Sequence, residues 1–156
     1  MDVTISEIFK CILSLIDWII EKMSPSYKLN ADDRKIHTEL QEQIIHCCDE
    51  ILKTPPQFLI EIAEKELDKL QKIKISTNSH IISENIVNLL NKIIHETANL
   101  ISFETIICNN INHSIEEKEA VSKRLKSLAT ISKLRKEMEI AFRIATIKKG
   151  LIIWKK

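Results

Sequence analysis

A single glycine, Gly150, is the feature that most restricts how this chain of 156 residues can fold. Average usage of about 7% would give roughly eleven glycines. Phosphate-binding loops and dinucleotide-binding turns need glycines that let the backbone approach a ligand closely, and tight β-hairpins use glycine at positive φ. The sequence therefore excludes Gly-rich nucleotide sites and argues against β-sheets.

The composition indicates one folded domain. The chain is 44% hydrophobic and 29% charged, with a net charge of +1, which is typical of an ordered globular protein. Its length is sufficient for one domain with a sizeable core. We expect residues 1–149 to form this domain and residues 150–156 to form a short apolar and basic tail.

Apolar residues recur at intervals of three and four along most of the chain, which predicts amphipathic helices. We expect five of them, at about residues 5–23, 32–53, 54–75, 80 or 83 to 108, and 115–149. Isoleucine mildly favours strands, but strand propensity is weak and depends on context. The predicted fold is all-α, an antiparallel bundle of four to five long helices joined by short turns.

Three pairs of residues have the spacing of a capping box, in which Ser or Thr precedes Glu or Gln by three positions at the start of a helix. The pairs are Thr4 with Glu7, Thr54 with Gln57, and Ser114 with Glu117. Pro55 also suits the first turn of a helix. These pairs predict the starts of the first, third and fifth helices.

The first helix is apolar around most of its circumference, so we expect it to contact several neighbours at once. Ile16 and Trp18 are predicted to lie in the main core. Although the stretch from Ile5 to Met23 has the length of a membrane span, five charged residues interrupt it. They are Glu7, Lys10, Asp17, Glu21 and Lys22.

The four cysteines, Cys11, Cys47, Cys48 and Cys108, show no CxxC spacing, and no secretory signal pattern precedes them. A reducing, intracellular setting is therefore predicted. Because all four fall within or beside apolar faces, we expect them to be free thiols that pack as small hydrophobic residues.

A metal site or a catalytic site centred on His46 is a further hypothesis. Helical spacing brings it near four acidic residues, Glu39, Glu42, Asp49 and Glu50. A di-metal bundle, however, needs matching Glu-x-x-His motifs on two helices, and the sequence supplies none. Adjacent Cys47 and Cys48 point about 100° apart on a helix and cannot chelate one ion together. We expect no cofactor, no metal and no catalytic residues.

Charge is distributed unevenly along the chain. Residues 116–156 carry twelve basic and five acidic side chains, whereas residues 1–115 carry eleven basic and seventeen acidic ones. Nucleic-acid binding through residues 118–149 is therefore an alternative function. The candidate phosphate contacts are Lys123, Arg124, Lys126, Lys133, Arg135, Lys136 and Arg143. Alternatively, this basic face complements the acidic remainder of the same chain.

The last helix is long for a domain of this size. Residues 115–149 would extend roughly 50 Å, whereas a compact domain of this length is about 40 Å across. Either the helix bends or breaks around Ser127 to Ser132, or its end projects into a partner or a second copy. Projection is favoured, since neither Pro nor Gly interrupts the helix. It would expose four candidate partner-binding residues, Ile140, Ile144, Ile147 and Trp154.

Taken together, these patterns favour a non-enzymatic, intracellular protein–protein interaction module, such as an adaptor, an immunity-like inhibitor or an effector-type bundle. A protein partner is expected, homo-oligomerisation is compatible with the pattern, and no membrane span is predicted. Apolar helical faces are abundant, while no convergent polar site is apparent.

Overall fold

The computed structural model describes residues 4–24, 28–76, 82–109 and 115–147. Within these ranges the chain forms five α-helices and one 3-10 turn, and the only β-type pairing is a single bridge between Lys28 and Ile147. The helices are α1 (Ile5–Lys22), α2 (Ala31–Lys53), α3 (Leu59–Ser76), α4 (Glu84–Asn109) and α5 (Ile115–Ala145), with the 3-10 turn at Pro56–Phe58. The predicted all-α class and the predicted five helices are confirmed.

Helices α2 to α5 form a four-helix bundle around one hydrophobic core. Each of them packs against two others: α2 and α4 both contact α3 and α5. Each helix contributes a fully buried aliphatic side chain, namely Ile44, Leu70, Ile93 and Ile131. The amphipathic periodicity of these helices therefore predicted their buried faces correctly.

Polar contacts fix the direction of α5 relative to its neighbours. The N–H of Leu29, just before α2, donates to the carbonyl of Thr146, just after α5, at 2.8 Å. Glu104, near the end of α4, contacts Arg124 in the first third of α5. Both α2 and α4 therefore run antiparallel to α5.

Helix α1 lies outside this core, against the outer side of α5. Leu13 is the one buried residue among Ile5–Lys22, all of which are described, and it does not belong to the described core cluster. The prediction that Ile16 and Trp18 lie in the main core is wrong, since Ile16 is half-buried outside it and Trp18 is 56% exposed. The four-helix bundle encloses its own core, so α1 can cover only one strip of its surface.

The predicted start of α1 is confirmed. The hydroxyl of Thr4 accepts the N–H of Glu7 at 3.1 Å, and the Glu7 carboxylate accepts the N–H of Thr4 at 3.2 Å. These reciprocal bonds satisfy backbone donors that the first turn of a helix leaves without partners.

The predicted cap at Thr54 is wrong. Thr54 ends α2 instead, and its hydroxyl donates to the carbonyl of Glu50. Two consecutive prolines follow it, and a residue that precedes proline is disfavoured in the α conformation. The chain is therefore extended at Thr54 and Pro55, and α3 begins only at Leu59 after the 3-10 turn. The third predicted cap, Ser114, lies outside the described residues.

Helix α5 is continuous for 31 residues, about 46 Å at the usual helical rise. The less favoured alternative, a break around residues 127–132, is absent. Its buried residues extend from Ala120 to Phe142, and Phe142 is only 1% exposed. Projection beyond the bundle is thus not seen in the described part of α5, because α1, α2 and α4 all pack against it. The segment from Lys148 onward lies outside the described residues.

Candidate partner-binding surface on the first helix

Helix α1 carries two apolar stripes on adjacent faces. The first, here called the inner seam, is buried or half-buried and consists of Phe9, Leu13, Ile16, Ile20 and Met23. The second, here called the outer seam, consists of side chains that are 44–75% exposed: Ile5, Ile8, Ile12, Leu15, Trp18 and Ile19. Half of the apolar surface of α1 is thus left without cover by the described bundle.

The outer seam is a continuous stripe rather than a set of scattered side chains. Five of its members, at positions 5, 8, 12, 15 and 19, are separated alternately by three and four residues. At 100° per residue, this alternation keeps them on one side of the helix. Trp18 is nine residues from Phe9, which places it on the opposite side of α1 from the inner seam and widens the stripe away from the bundle.

The inner seam and two polar contacts hold α1 against α5. The ammonium of Lys136 lies 5.7 Å from the centre of the Phe9 ring, within the range of a cation–π interaction. Nε of Arg143 lies 2.8 Å from Oδ1 of Asp17. The contact nearer the start of α1 is with the earlier residue of α5, and the contact nearer its end is with the later residue. Helix α1 therefore runs parallel to α5.

The contact at Asp17 ends a row of alternating charges that crosses three helices. Arg143 also lies 4.0 Å from Glu139, and Glu139 accepts from Arg135 at 2.6 Å. Arg135 in turn contacts Asp49 of α2 at 2.5 Å. This row neutralises both arginines within the chain and orients α1, so that its outer seam faces away from the bundle.

Three of the four predicted partner-binding residues lie in the described part of the chain, at the end of α5. Ile144 is 48% exposed, whereas Ile140 and Ile147 are half-buried. Ile147 pairs with Lys28 in the isolated bridge. The fourth, Trp154, lies outside the described residues. Among the described residues of this end, which stop at Ile147, the apolar exposure is much smaller than that of the outer seam.

The three arginines among the candidate phosphate contacts all bind carboxylates of the same chain. Arg124 lies 3.1 Å from Glu104, a carboxylate that is only 2% exposed, while Arg135 and Arg143 belong to the row of charges described above. Removing Arg124 from its partner would leave a buried charge unpaired, which is strongly unfavourable. These arginines act as internal counter-ions.

Three of the four candidate lysines, Lys123, Lys126 and Lys133, are exposed, whereas Lys136 is half-buried like the three arginines. Lys133 lies 3.9 Å from Glu137, and Lys123 lies over the Phe103 ring at 5.9 Å. Lys126 is exposed, and Lys136 contacts the Phe9 ring as noted. With its arginines engaged, the face retains a few exposed lysines rather than a dense row of phosphate ligands.

The region around His46 does not form a convergent polar site. The imidazole is 62% exposed and lies 3.8 Å from Glu50. Among residues 4–24, 28–76, 82–109 and 115–147, no three His, Cys, Asp or Glu side chains come together as metal ligands. A cavity of about 350 Å³ beside it is lined by Gln43, His46, Cys47, Lys69, Lys72 and Ile73.

The Cys47 thiol is unsuited to act as a nucleophile in that cavity. Burial raises its pKa to about 12, and its hydrogen bond to the carboxylate of Glu66 acts in the same direction. Glu66 is itself buried and lies 3.2 Å from the ammonium of Lys69. Because the thiolate is the reactive form, this thiol stays protonated and inert near neutral pH.

All four cysteines lie in the described part of the chain, and all are free thiols. Cys47 and Cys48 are buried in the core, as predicted. Cys11 and Cys108 are exposed, so the prediction that they pack in the interior is wrong. Cys11 and Cys108 both lie beside an apolar helical face, but no other described helix covers that face near the cysteine. Cys11 borders the outer seam.

The breadth of the apolar face of α1 is visible in the sequence, but the prediction that this helix lies in the main core did not separate its two stripes. The signal that distinguishes the two seams is the strict alternation of three and four residues from Ile5 to Ile19, beside a second alternation from Phe9 to Met23. One helix with two such stripes has room for two different neighbours.

No helix in the described part of the chain combines the length and the apolar character needed to cross a membrane. Compared with models of protein families, with curated protein sequences and with solved structures, the chain matches none.

Proposed function

We propose that this chain is a protein–protein interaction module that binds its partner through the outer seam of α1. The observation that carries the proposal is the exposure of six large apolar side chains in one stripe on one helix. The four-helix bundle serves as the scaffold that holds this helix in place. Catalysis forms no part of the proposal.

The size of the outer seam supports this function. Large aromatic side chains bury roughly 150–250 Å² each, and aliphatic ones somewhat less, so six of them at about half exposure present on the order of 500 Å². The largest apolar patch on a typical monomer is about 300–600 Å² and is often functional. Covering this surface would contribute about 12 kcal/mol before the cost of association, which is about 4–15 kcal/mol. This balance is typical of a reversible partner.

Helix-in-groove and helix-on-helix recognition both use apolar anchors at intervals of three and four. The outer seam has this arrangement from Ile5 to Ile19. By contrast, the three arginines on the basic face of α5 form ion pairs with carboxylates of the same chain, which argues against phosphate binding as the main role.

Site-specific photo-crosslinking in the cells that express the chain tests the proposal. A benzophenone side chain replaces Leu15 on the outer seam, and the matched control replaces Leu125 on α5. Both leucines are exposed to a similar degree, 57% and 62%. The expected result is a discrete protein adduct, insensitive to nuclease, from position 15 and not from position 125.

A second substitution on the seam, Ile12→Glu, should abolish the adduct from position 15 while the helical circular dichroism signal is unchanged. Equal labelling from both positions, or no adduct from position 15, would contradict the proposal. An adduct that disappears on nuclease treatment would favour the nucleic-acid alternative instead.

A further inference from the structure

We propose, on the basis of the proposed function, that the partner on the outer seam is a second copy of this chain, with two α1 helices paired in parallel. Apolar residues that alternate at three and four place the same stripe against a neighbouring helix along its whole length, as in coiled coils. The stripe covers Ile5 to Ile19, which is most of α1. A helix is therefore the matching partner.

The residues beside the outer seam also favour a second copy of the chain. The positions that flank the outer seam within α1 carry Cys11 and Trp18 on one side and the apolar residues Phe9 and Ile16 on the other. In coiled coils, charged residues at these flanking positions select the partner and its orientation. Between Ile5 and Ile19 these flanking positions are uncharged, so a partner with charged flanks would find no counter-ions there, and the charge of Lys22 follows only at the end of the stripe. The surface is self-complementary, as a two-fold interface requires.

The charged residues of α1 argue against a lipid surface as the binding partner of the outer seam. Helices that lie on membranes are rich in Lys and Arg on the polar face. The charged residues of α1 are Glu7, Lys10, Asp17, Glu21 and Lys22, which sum to −1. An anionic membrane would therefore not attract this helix.

The positions of the two bundles favour a parallel orientation of the pair. The inner seam places the bundle on one side of α1, and Trp18 and Cys11 lie on the opposite side. In a parallel two-fold pair, the partner's bundle lies on that opposite side, where it can cover both residues. An antiparallel pair would place both bundles on the same side, where they would compete for space.

The surface available suits a weak pair. The outer seam, which includes Trp18, presents on the order of 500 Å² on each copy. A pair would therefore bury about 1,000 Å² in total, which is near the lower threshold for a specific interface and below the standard size of about 1,600 Å². The expected assembly is a reversible dimer.

Light scattering on the purified full-length chain tests the proposal across micromolar concentrations. The expected mass is twice that of one chain for the wild type and for the control Leu125→Glu, and that of one chain for Leu15→Glu. A second seam variant, Ile19→Glu, should behave like Leu15→Glu, and unchanged helical circular dichroism shows that each variant is folded. A monomeric wild type, or a dimer that survives both seam substitutions, would overturn the proposal.

A cysteine at the seam tests the parallel orientation. In a background in which both exposed cysteines are replaced, Cys11→Ser and Cys108→Ser, Leu15→Cys should form a disulfide-linked dimer on mild oxidation, because parallel pairing places each residue 15 beside its counterpart. A dimer without this crosslink would overturn the parallel arrangement. If the wild type is monomeric but position 15 still captures a different protein in cells, the proposed function survives and self-pairing fails. If neither adduct nor dimer forms, both fail.

Discussion

Nε of Arg143 lies 2.8 Å from Oδ1 of Asp17, so an ion pair at the surface links the outermost helix to the longest one. Asp17 is 56% exposed and Arg143 is 22% exposed, and solvent-exposed pairs of this kind contribute about 0–1 kcal/mol. We expect Asp17→Asn to lower the free energy of unfolding by less than about 1 kcal/mol in urea titrations. The matched control is Asp68→Asn, which removes the exposed pair with Lys72 inside α3. A much larger loss for Asp17→Asn would mean that α1 depends on this pair for docking.

The pair between Arg124 and Glu104 should behave differently, since its carboxylate is buried. Arg124→Met leaves that charge without a counter-ion, and the expected loss is about 3–5 kcal/mol in the free energy of unfolding. The double variant Glu104→Gln with Arg124→Met should recover much of this loss, because the unpaired charge is gone. Urea denaturation of the two single variants and the double variant measures the coupling. Additive losses would contradict an internal ion pair.

Matched isoleucines distinguish the core from the periphery. Ile44 is fully buried in the four-helix core, and Ile16 lies half-buried in the inner seam. Ile44→Ala should cost about 2–5 kcal/mol by loss of burial and cavity formation. Ile16→Ala should cost clearly less, because its neighbours can adjust at the surface. Similar losses at both sites, measured by denaturant unfolding, would place α1 in the main cooperative core.

Thiol reactivity should separate the cysteines into two classes. Cys11 and Cys108 are exposed, and Cys47 and Cys48 are buried. With a chromogenic disulfide reagent at neutral pH, we expect two thiols to react fast in the native chain and two only upon unfolding. If self-pairing covers Cys11, its reaction should also slow as the chain concentration rises, while that of Cys108 does not. Four equally fast thiols would contradict the packing of the core.

Alkaline pH should weaken the fold through the buried thiols. Burial raises the pKa of Cys48 from 9.0 to about 12 and that of Cys47 to a similar value. Raised values mean that the folded state holds these protons more tightly than the unfolded state does. The contribution of the two protonated thiols to the stability of the fold is therefore complete below about pH 9 and is lost as the pH rises towards 12. Cys48→Ala should reduce the slope of unfolding free energy against pH in this window, relative to the wild type, and an unchanged slope would contradict the assignment.

Local signals in the sequence predicted the helices well. Capping at Thr4 depends on neighbours three residues away, and the periodicity of α2, α4 and α5 depends on neighbours three and four residues away, so both are visible in the sequence. Thr54 had the same local signal, but two prolines after it favoured an extended backbone. At Thr54 the backbone restriction imposed by the following proline outweighed the capping pattern.

The environment of each helical face was much less predictable. Periodicity shows that Ile16 and Trp18 lie on an apolar helix, but not how many neighbours that helix has. The partners of Arg124 and Arg135 lie 20 and 86 positions away in the chain, so no local pattern indicates that these arginines are neutralised. The exposure of the outer seam on α1 and the neutralised arginines of α5 are both consequences of tertiary packing.

The parallel contact between α1 and α5 also has a consequence for synthesis of the chain. Asp17 and its partner Arg143 are 126 positions apart, which corresponds to about 6–25 s of translation at roughly 5–20 residues per second. During this interval the ribosome has released α1 but has not yet made the surface that covers its inner seam. We therefore expect α1 to be the last helix to dock, with both of its stripes available to chaperones and to neighbouring nascent chains on the same messenger RNA until α5 emerges.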